Sequence, residues 1–386
     1  MLATIGSMSL NNLKSINFIF KSLFPNQFAW LSGLLWLLII LPAQAIDLKV
    51  AIEKEVDTIK IGSSTNAIVT DASGKQLGEL NPMSALTAKL NGDEITLADR
   101  VGGGELIIEP QDDGYVWIGD RWYRGKTQLI LQDDGITAIN HVDLEQYLYS
   151  VVGAEAVSSW PIEALKAQAV AARSYALYKR NQESNGIYDV DTTIGTQVYK
   201  GLDSEYTTTH EAVNSTLGQI MTYEEQVILA AFHSSSGGYT ENVEDIWSSP
   251  LPYLRAVVDY DQQSPVFEWQ QVIPVSKIQS LVAGIGNIKG LQPAKMTPRG
   301  RVITMQVTGD LGSTTVSGKD LRKVLDLRST LFRISTDGEN LSVKGRGFGH
   351  GLGLSQWGAY YLAQQGINYH QILAHYYQSA DLTKLE

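Results

Sequence analysis

The sequence predicts an α+β fold, and three observations carry that expectation. Short apolar stretches cut by turn residues occupy the chain from Leu48 to about Asn140. A long helical run begins at Trp160-Pro161. Beyond it, helices and strands mix without the regular spacing of βαβ units, which disfavours a parallel α/β sheet.

The first 45 residues stand apart. They carry Lys14 and Lys21, an apolar run from Phe28 to Ala43, and then the small-x-small site Ala43-Gln44-Ala45. This order reads as a secretory signal peptide. The rival is a retained N-terminal membrane anchor, for which the apolar run is slightly short. Either way the chain is expected to be exported, to the periplasm or cell envelope, and to stay on the membrane if the segment is kept. A 386-residue chain without cysteine has no disulfide, no catalytic thiolate and no cysteine-ligated zinc. A net charge of -11 without a Lys/Arg run argues against nucleic acid as a partner.

Residues 46–114 form the expected β-rich N-terminal region, with turns at Asn91-Gly92-Asp93, Gly102-Gly103-Gly104 and Asp112-Asp113-Gly114. It shows no catalytic constellation and reads as a scaffold or a glycan-contacting module, structure alone being the blander role. The second domain is expected over 115–386. In it, Leu144–Val152 reads as a short helix leading into a loop that carries Glu155. Pro161 suits the first position of the long helix, Glu163 favours its first turn, and Asn185-Gly186 suits its end. A helix over 274–285, a hairpin at Gly309-Asp310-Leu311-Gly312, a helix capped by Ser317 and a terminal helical pair complete the order.

Three segments can carry chemistry. Glu155 lies among small and apolar residues, surroundings that can keep a carboxylic acid protonated near neutral pH. On the helix after it, Lys166 and Arg173 fall on an apolar stripe, so their stems reach outward or their charges enter an internal polar site. In the run Gly345 to Gln356, five glycines alternate with side chains. If that run is extended, one face is bare, a flat groove floor for a sugar chain with His350 at its edge. His233-Ser234-Ser235-Ser236-Gly237-Gly238 lacks the nucleophile elbow of a serine hydrolase and reads as a polar substrate-contacting turn.

Together these segments resemble the stage II sporulation protein D (SpoIID) family, which includes amidase enhancers. The resemblance rests on the string from Trp160-Pro161 to Ser174-Tyr175-Ala176, on Gln197-Val198-Tyr199-x-Gly201, on His233-Ser234-x-x-Gly237-Gly238 and on Gly349-His350-Gly351-x-Gly353-x-Ser355-Gln356. It implies a lytic transglycosylase acting on peptidoglycan glycan strands stripped of their peptides, with Glu155 as acid and then base. It implies substrate contacts from Lys166, Arg173, Gln197, Tyr199, His233, Ser236, Gly238, His350, Ser355 and Gln356. The alternative within the family is a non-catalytic, glycan-binding activator of a cell-wall amidase. Some members hold zinc near the His-Ser turn; without cysteines here, no metal and no cofactor are expected.

Overall fold

The computed structural model describes residues 46–385 except 99, 133–134, 184–185, 193–195 and 248. The expected leader or anchor lies outside these residues. No helix among the described residues is long and apolar enough to cross a membrane.

The fold is mixed α+β, as the turn-punctuated strands and the long helix predict. Two antiparallel-rich sheets build the first half. One has seven strands in the order Val190–Asp191, Asp47–Val56, Gly135–Asp143, Lys126–Gln132, Glu105–Pro110, Ala67–Asp71 and Gln76–Leu80. The other has six and runs from Arg121–Tyr123 to Arg100–Gly103. Their buried faces share one apolar cluster that includes Leu48, Val50, Ile61, Val69, Ile95, Ile108 and Ile118. The strands continue past residue 114: Asp47–Val56 pairs with Gly135–Asp143 from Asp47 opposite Asp143 to Val56 opposite Ile136.

Seven α-helices lie among the described residues: α1 (Leu144–Glu155), α2 (Ile162–Gln182), α3 (Thr207–Ser215), α4 (Val243–Ile246), α5 (Gly318–Val324), α6 (Gln356–Gln364) and α7 (Tyr369–Tyr376). Asp143 caps α1, its carboxylate accepting from the Glu145 and Gln146 N–H groups at 2.9 and 3.1 Å. Two details differ from expectation. Glu155 is the last residue of α1 rather than part of a loop, because the helix persists until Ala156 turns extended. Pro161 is the N-cap of α2 instead of its first helical residue.

Helix α2 is buried on nearly every side, which explains its alanines. Leu165, Ala169, Ala172 and Ala176 join the sandwich core. Ala167, Val170 and Ala171 join a second core with Met221, Leu354, Ala359, Ile372 and Tyr376. Small side chains let both layers approach the same helix. A third core lies beneath the sheets Glu268–Pro274/Asn340–Arg346/Phe332–Thr336 and Ile288–Met296/Val302–Gly309/Ser313–Ser317. The expected hairpin joins the last two of these strands, and Ser317 caps α5 through the Asp320 N–H. Residues 275–281 form a 3₁₀ turn where a longer helix is expected.

Candidate active site

Helix α1 delivers Glu155 at its C-terminus, where the helix dipole disfavours a negative charge. Burial pushes its carboxyl up from the usual range. The Val198 N–H, the Gln356 amide and the charge of Lys200 oppose that push by favouring the carboxylate. The Val198 N–H donates to Glu155 Oε1 at 2.7 Å. No other carboxylate figures among the groups that set its protonation.

Two expected site residues, Gln197 and Tyr199, act beneath this contact. Both are buried. Gln197 accepts from the Tyr147 hydroxyl at 3.1 Å and donates to the Ala172 carbonyl at 3.2 Å. The Tyr199 hydroxyl donates to Asn140 at 2.9 Å, and its ring lies against those of Tyr123 and Tyr147. With 197 and 199 pointing inward, the chain between them turns the Val198 N–H toward Glu155.

The structure also brings Gln356 to Glu155. Ser355 is buried as the N-cap of α6, its hydroxyl accepting from the Gly358 N–H at 3.3 Å. That cap sets Gln356 at the helix start, where its amide reaches Glu155 and also donates to Gln168 Oε1 at 3.3 Å. Phe232–His233 runs parallel to Leu354–Ser355, so the His233 segment flanks the same place.

The remaining expected contacts are committed elsewhere. Arg173 is 0 % exposed and pairs with Glu145 of α1 through two bonds of 2.7 and 2.6 Å. It also donates to the Gln219 carbonyl at 2.9 Å. It is an internal tie, closed to a ligand, and resolves the sequence alternative in favour of a buried polar site. Lys166 follows the other course: it reaches Glu163 at 2.8 Å and lies over the Tyr369 ring. Ser236 is buried with its hydroxyl on Asp259 at 2.5 Å. Gly238 is buried too, its N–H on Asp261 at 3.0 Å. Asp261 also accepts from the Gly237 N–H at 2.8 Å, so the turn is clamped from below and does not offer these groups outward.

The glycine run is not the flat extended floor expected from its alternation. Gly349 and Gly351 have φ of +114° and +85°. A Cβ at Gly349 would stand 2.6 Å from the His233 Cβ, and one at Gly351 would stand 2.3 Å from the Arg301 guanidinium. The glycines let a winding loop close over His233 and Arg301.

His233 donates from Nδ1 to the Leu352 carbonyl at 3.0 Å, while its Nε2 has no partner among the described residues. Burial, the neighbouring His350 and Arg301 hold it well below the ordinary imidazole range. His350 is pushed down to about 4 by burial and by Arg301 and Arg322. Both rings are therefore neutral near pH 7, 5.3 Å apart. No group of three His, Cys, Asp or Glu side chains placed to hold a metal ion occurs among the described residues.

Sequence reading missed an aromatic cluster. Trp160 lies against Trp357 and Tyr360 at 4.9 and 5.1 Å between ring centroids, and Tyr361 adjoins Tyr360 at 4.9 Å. All four are half-buried, and they flank Glu155 and Gln356 in sequence. The spacing Trp357, Tyr360, Tyr361 on one helix face was the available signal. Tyr175 was missed as well; burial and the charges of Asp191 and Glu155 push its hydroxyl up to about 12.

Residues 132–223 match the SpoIID (stage II sporulation protein) family, and residues 259–353 match a domain of unknown function (DUF8618). The stage II sporulation protein D of Bacillus subtilis is 34% identical over 274 residues, which is 64% of this chain and 77% of that protein. The protein of the same name from Bacillus amyloliquefaciens is 35% identical over 269 residues, covering 64% and 76%. The chain belongs to the SpoIID family. An amidase enhancer of Bacillus subtilis is also similar, 30% identical over 291 residues, 61% of this chain and 40% of that protein. The SpoIID match spans the turn from α1 to α2, hence Glu155 and Val198.

Proposed function

We propose that this SpoIID-family protein is a peptidoglycan lytic transglycosylase that cleaves peptide-stripped glycan strands, with Glu155 as its acid and base. The observation that carries the reading is the half-buried Glu155 carboxyl, with no second carboxylate among the groups that set its protonation, pushed upward by burial and held by the Val198 N–H at 2.7 Å. Most glycosidases that use water work with a pair of carboxyl groups. A single carboxyl suffices when the substrate supplies its own nucleophile.

The protonated Glu155 gives its proton to the glycosidic oxygen as the bond from muramoyl C1 breaks. The resulting carboxylate takes the proton of the muramoyl C6 hydroxyl, and O6 bonds to C1 as a 1,6-anhydro ring. The acid is regenerated, and no water is consumed. The Val198 N–H and the Gln356 amide favour the carboxylate half of this cycle, burial the protonated half. Trp160, Trp357 and Tyr360 supply flat apolar faces for sugar rings. Export through the N-terminal segment to the cell envelope belongs to the same proposal.

The test is incubation of the chain and of Glu155→Gln with amidase-treated glycan strands, followed by mass spectrometry. Anhydro-muramoyl ends from the wild type alone support the reading; their absence from both refutes it. The similarity to an amidase enhancer favours a second reading, a glycan-binding activator of a cell-wall amidase. Amidase stimulation that survives Glu155→Gln, without anhydro products, selects that one.

A further inference from the structure

The sheet Glu268–Pro274/Asn340–Arg346/Phe332–Thr336 walls an open cavity of about 760 Å³ that no step above uses. Arg299, Arg333, Lys344 and Arg346 line it, against Glu268 as the one acidic lining residue. All four cations are exposed, and none has a carboxylate within 4.0 Å among the described residues. The concentration is unexpected in a chain of net charge -11.

The strand register sharpens this. Arg333 stands directly opposite Lys344, whereas Arg346 stands opposite Glu268, so the like-charged pair is the one left uncompensated by the register. Like charges facing each other across neighbouring strands cost stability, so the pair calls for an anionic occupant. Lys344 and Arg346 alternate along one strand and so repeat on one face every ~7 Å. Cations spaced along an open trough suit a polymer carrying spaced anions better than one compact phosphate, which takes converging donors. Beneath them, Gly345 leaves room for the buried Trp269 ring: a Cβ there would stand 2.2 Å from it. The cavity also adjoins the His233 turn. A Cβ on Gly237 would lie 3.0 Å from Arg346 Cβ, and Arg299 lies 4.7 Å over the Tyr239 ring.

The geometry points to a subsite for carboxylates borne on a sugar chain, namely the lactyl carboxylates of muramoyl residues whose peptides have been removed. This rests on the glycan-cleaving reading and deepens it. An attached peptide converts the lactyl carboxylate to a neutral amide, and its removal exposes one negative charge per muramoyl residue. The four cations thereby meet anions seated on the sugar itself, the form of the strand that an amide-cleaving reaction leaves.

The test uses the full chain carrying Glu155→Gln, so that binding is read without turnover. Fluorescently labelled peptide-stripped strands, the same strands with carboxylates amidated by carbodiimide, and a glycerol-phosphate polymer are compared by fluorescence polarisation. Stripped strands bind at least about tenfold more tightly than amidated ones, a difference that shrinks with salt. Lys344→Gln/Arg346→Gln abolishes it, and the exposed Arg333→Gln serves if that pair does not fold. Equal affinity for amidated strands, a difference that survives these substitutions, or tighter binding of the glycerol-phosphate polymer overturns the assignment. A chain that makes anhydro ends without charge discrimination sinks only this inference. A chain that discriminates but makes no anhydro ends sinks only the cleavage reading.

Discussion

Replacing Arg173 by leucine tests whether that residue holds the fold or holds the substrate. Its guanidinium is fully buried and binds Glu145 in the first turn of α1 through two bonds. It also donates to Gln219 in the strand Gln219–Tyr223, which places one side chain across three elements. Leucine fills much of the space but leaves the Glu145 carboxylate, whose side chain is 17% exposed, without its cation. Removing one partner of a buried pair costs about 3–5 kcal/mol. The partial exposure of Glu145 favours the lower end, so roughly 3 kcal/mol and a fall in Tm of roughly 4 °C are expected. Replacing both residues, Glu145→Leu/Arg173→Leu, recovers part of the loss because no charge is then stranded. Thermal unfolding followed by circular dichroism reads both variants, with strand cleavage measured well below Tm. An unchanged Tm together with a selective rise in KM would refute the structural role and restore Arg173 as a substrate contact.

The raised Glu155 carboxyl makes a signed pH prediction. A group that holds its proton more tightly when folded stabilises the fold in acid, and that contribution is lost as pH rises through its folded value. Glu155→Gln should therefore melt above the wild type near pH 8 and level with it in acid; a gap independent of pH contradicts the assignment. Gln356→Leu removes a hydrogen bond that favours the Glu155 carboxylate, so the carboxyl rises further and the alkaline limb of the pH–rate profile moves to higher pH. A profile that only loses height speaks against that contact. Gly351→Ala puts a Cβ 2.3 Å from the Arg301 guanidinium at φ +85°. It should destabilise by about 2–4 kcal/mol, read as a lowered denaturant midpoint.

Much of the architecture is legible along the chain because it is written in local signals. Turn residues mark the early strands, Asp143 and Ser317 mark helix starts, and alanines mark the buried α2. What local signals miss is decided by partners far away in sequence. Arg173 reads as a charge in the wrong place, and only its pairing with Glu145 and Gln219 explains it. The glycine run alternates like a strand, yet His233 and Arg301 beneath it require a loop. Ser236 and Gly238 belong to a motif suggestive of contact, but Asp259 and Asp261 hold them from below. Gln356 was readable by resemblance, while its bond to Glu155 needed the parallel pairing of Leu354–Ser355 with Phe232–His233.

The contact from Val198 to Glu155 has a consequence for how this site tolerates change. The donor is a main-chain amide, so no exchange of the valine side chain removes it except proline, which has no N–H. Control over the acid is therefore lodged in the path of the chain and secured by the neighbours on either side, Gln197 and Tyr199. Position 198 is free to drift, whereas its inward-facing neighbours are not. Damage to the acid's tuning is then expected to enter through buried residues that never meet a substrate.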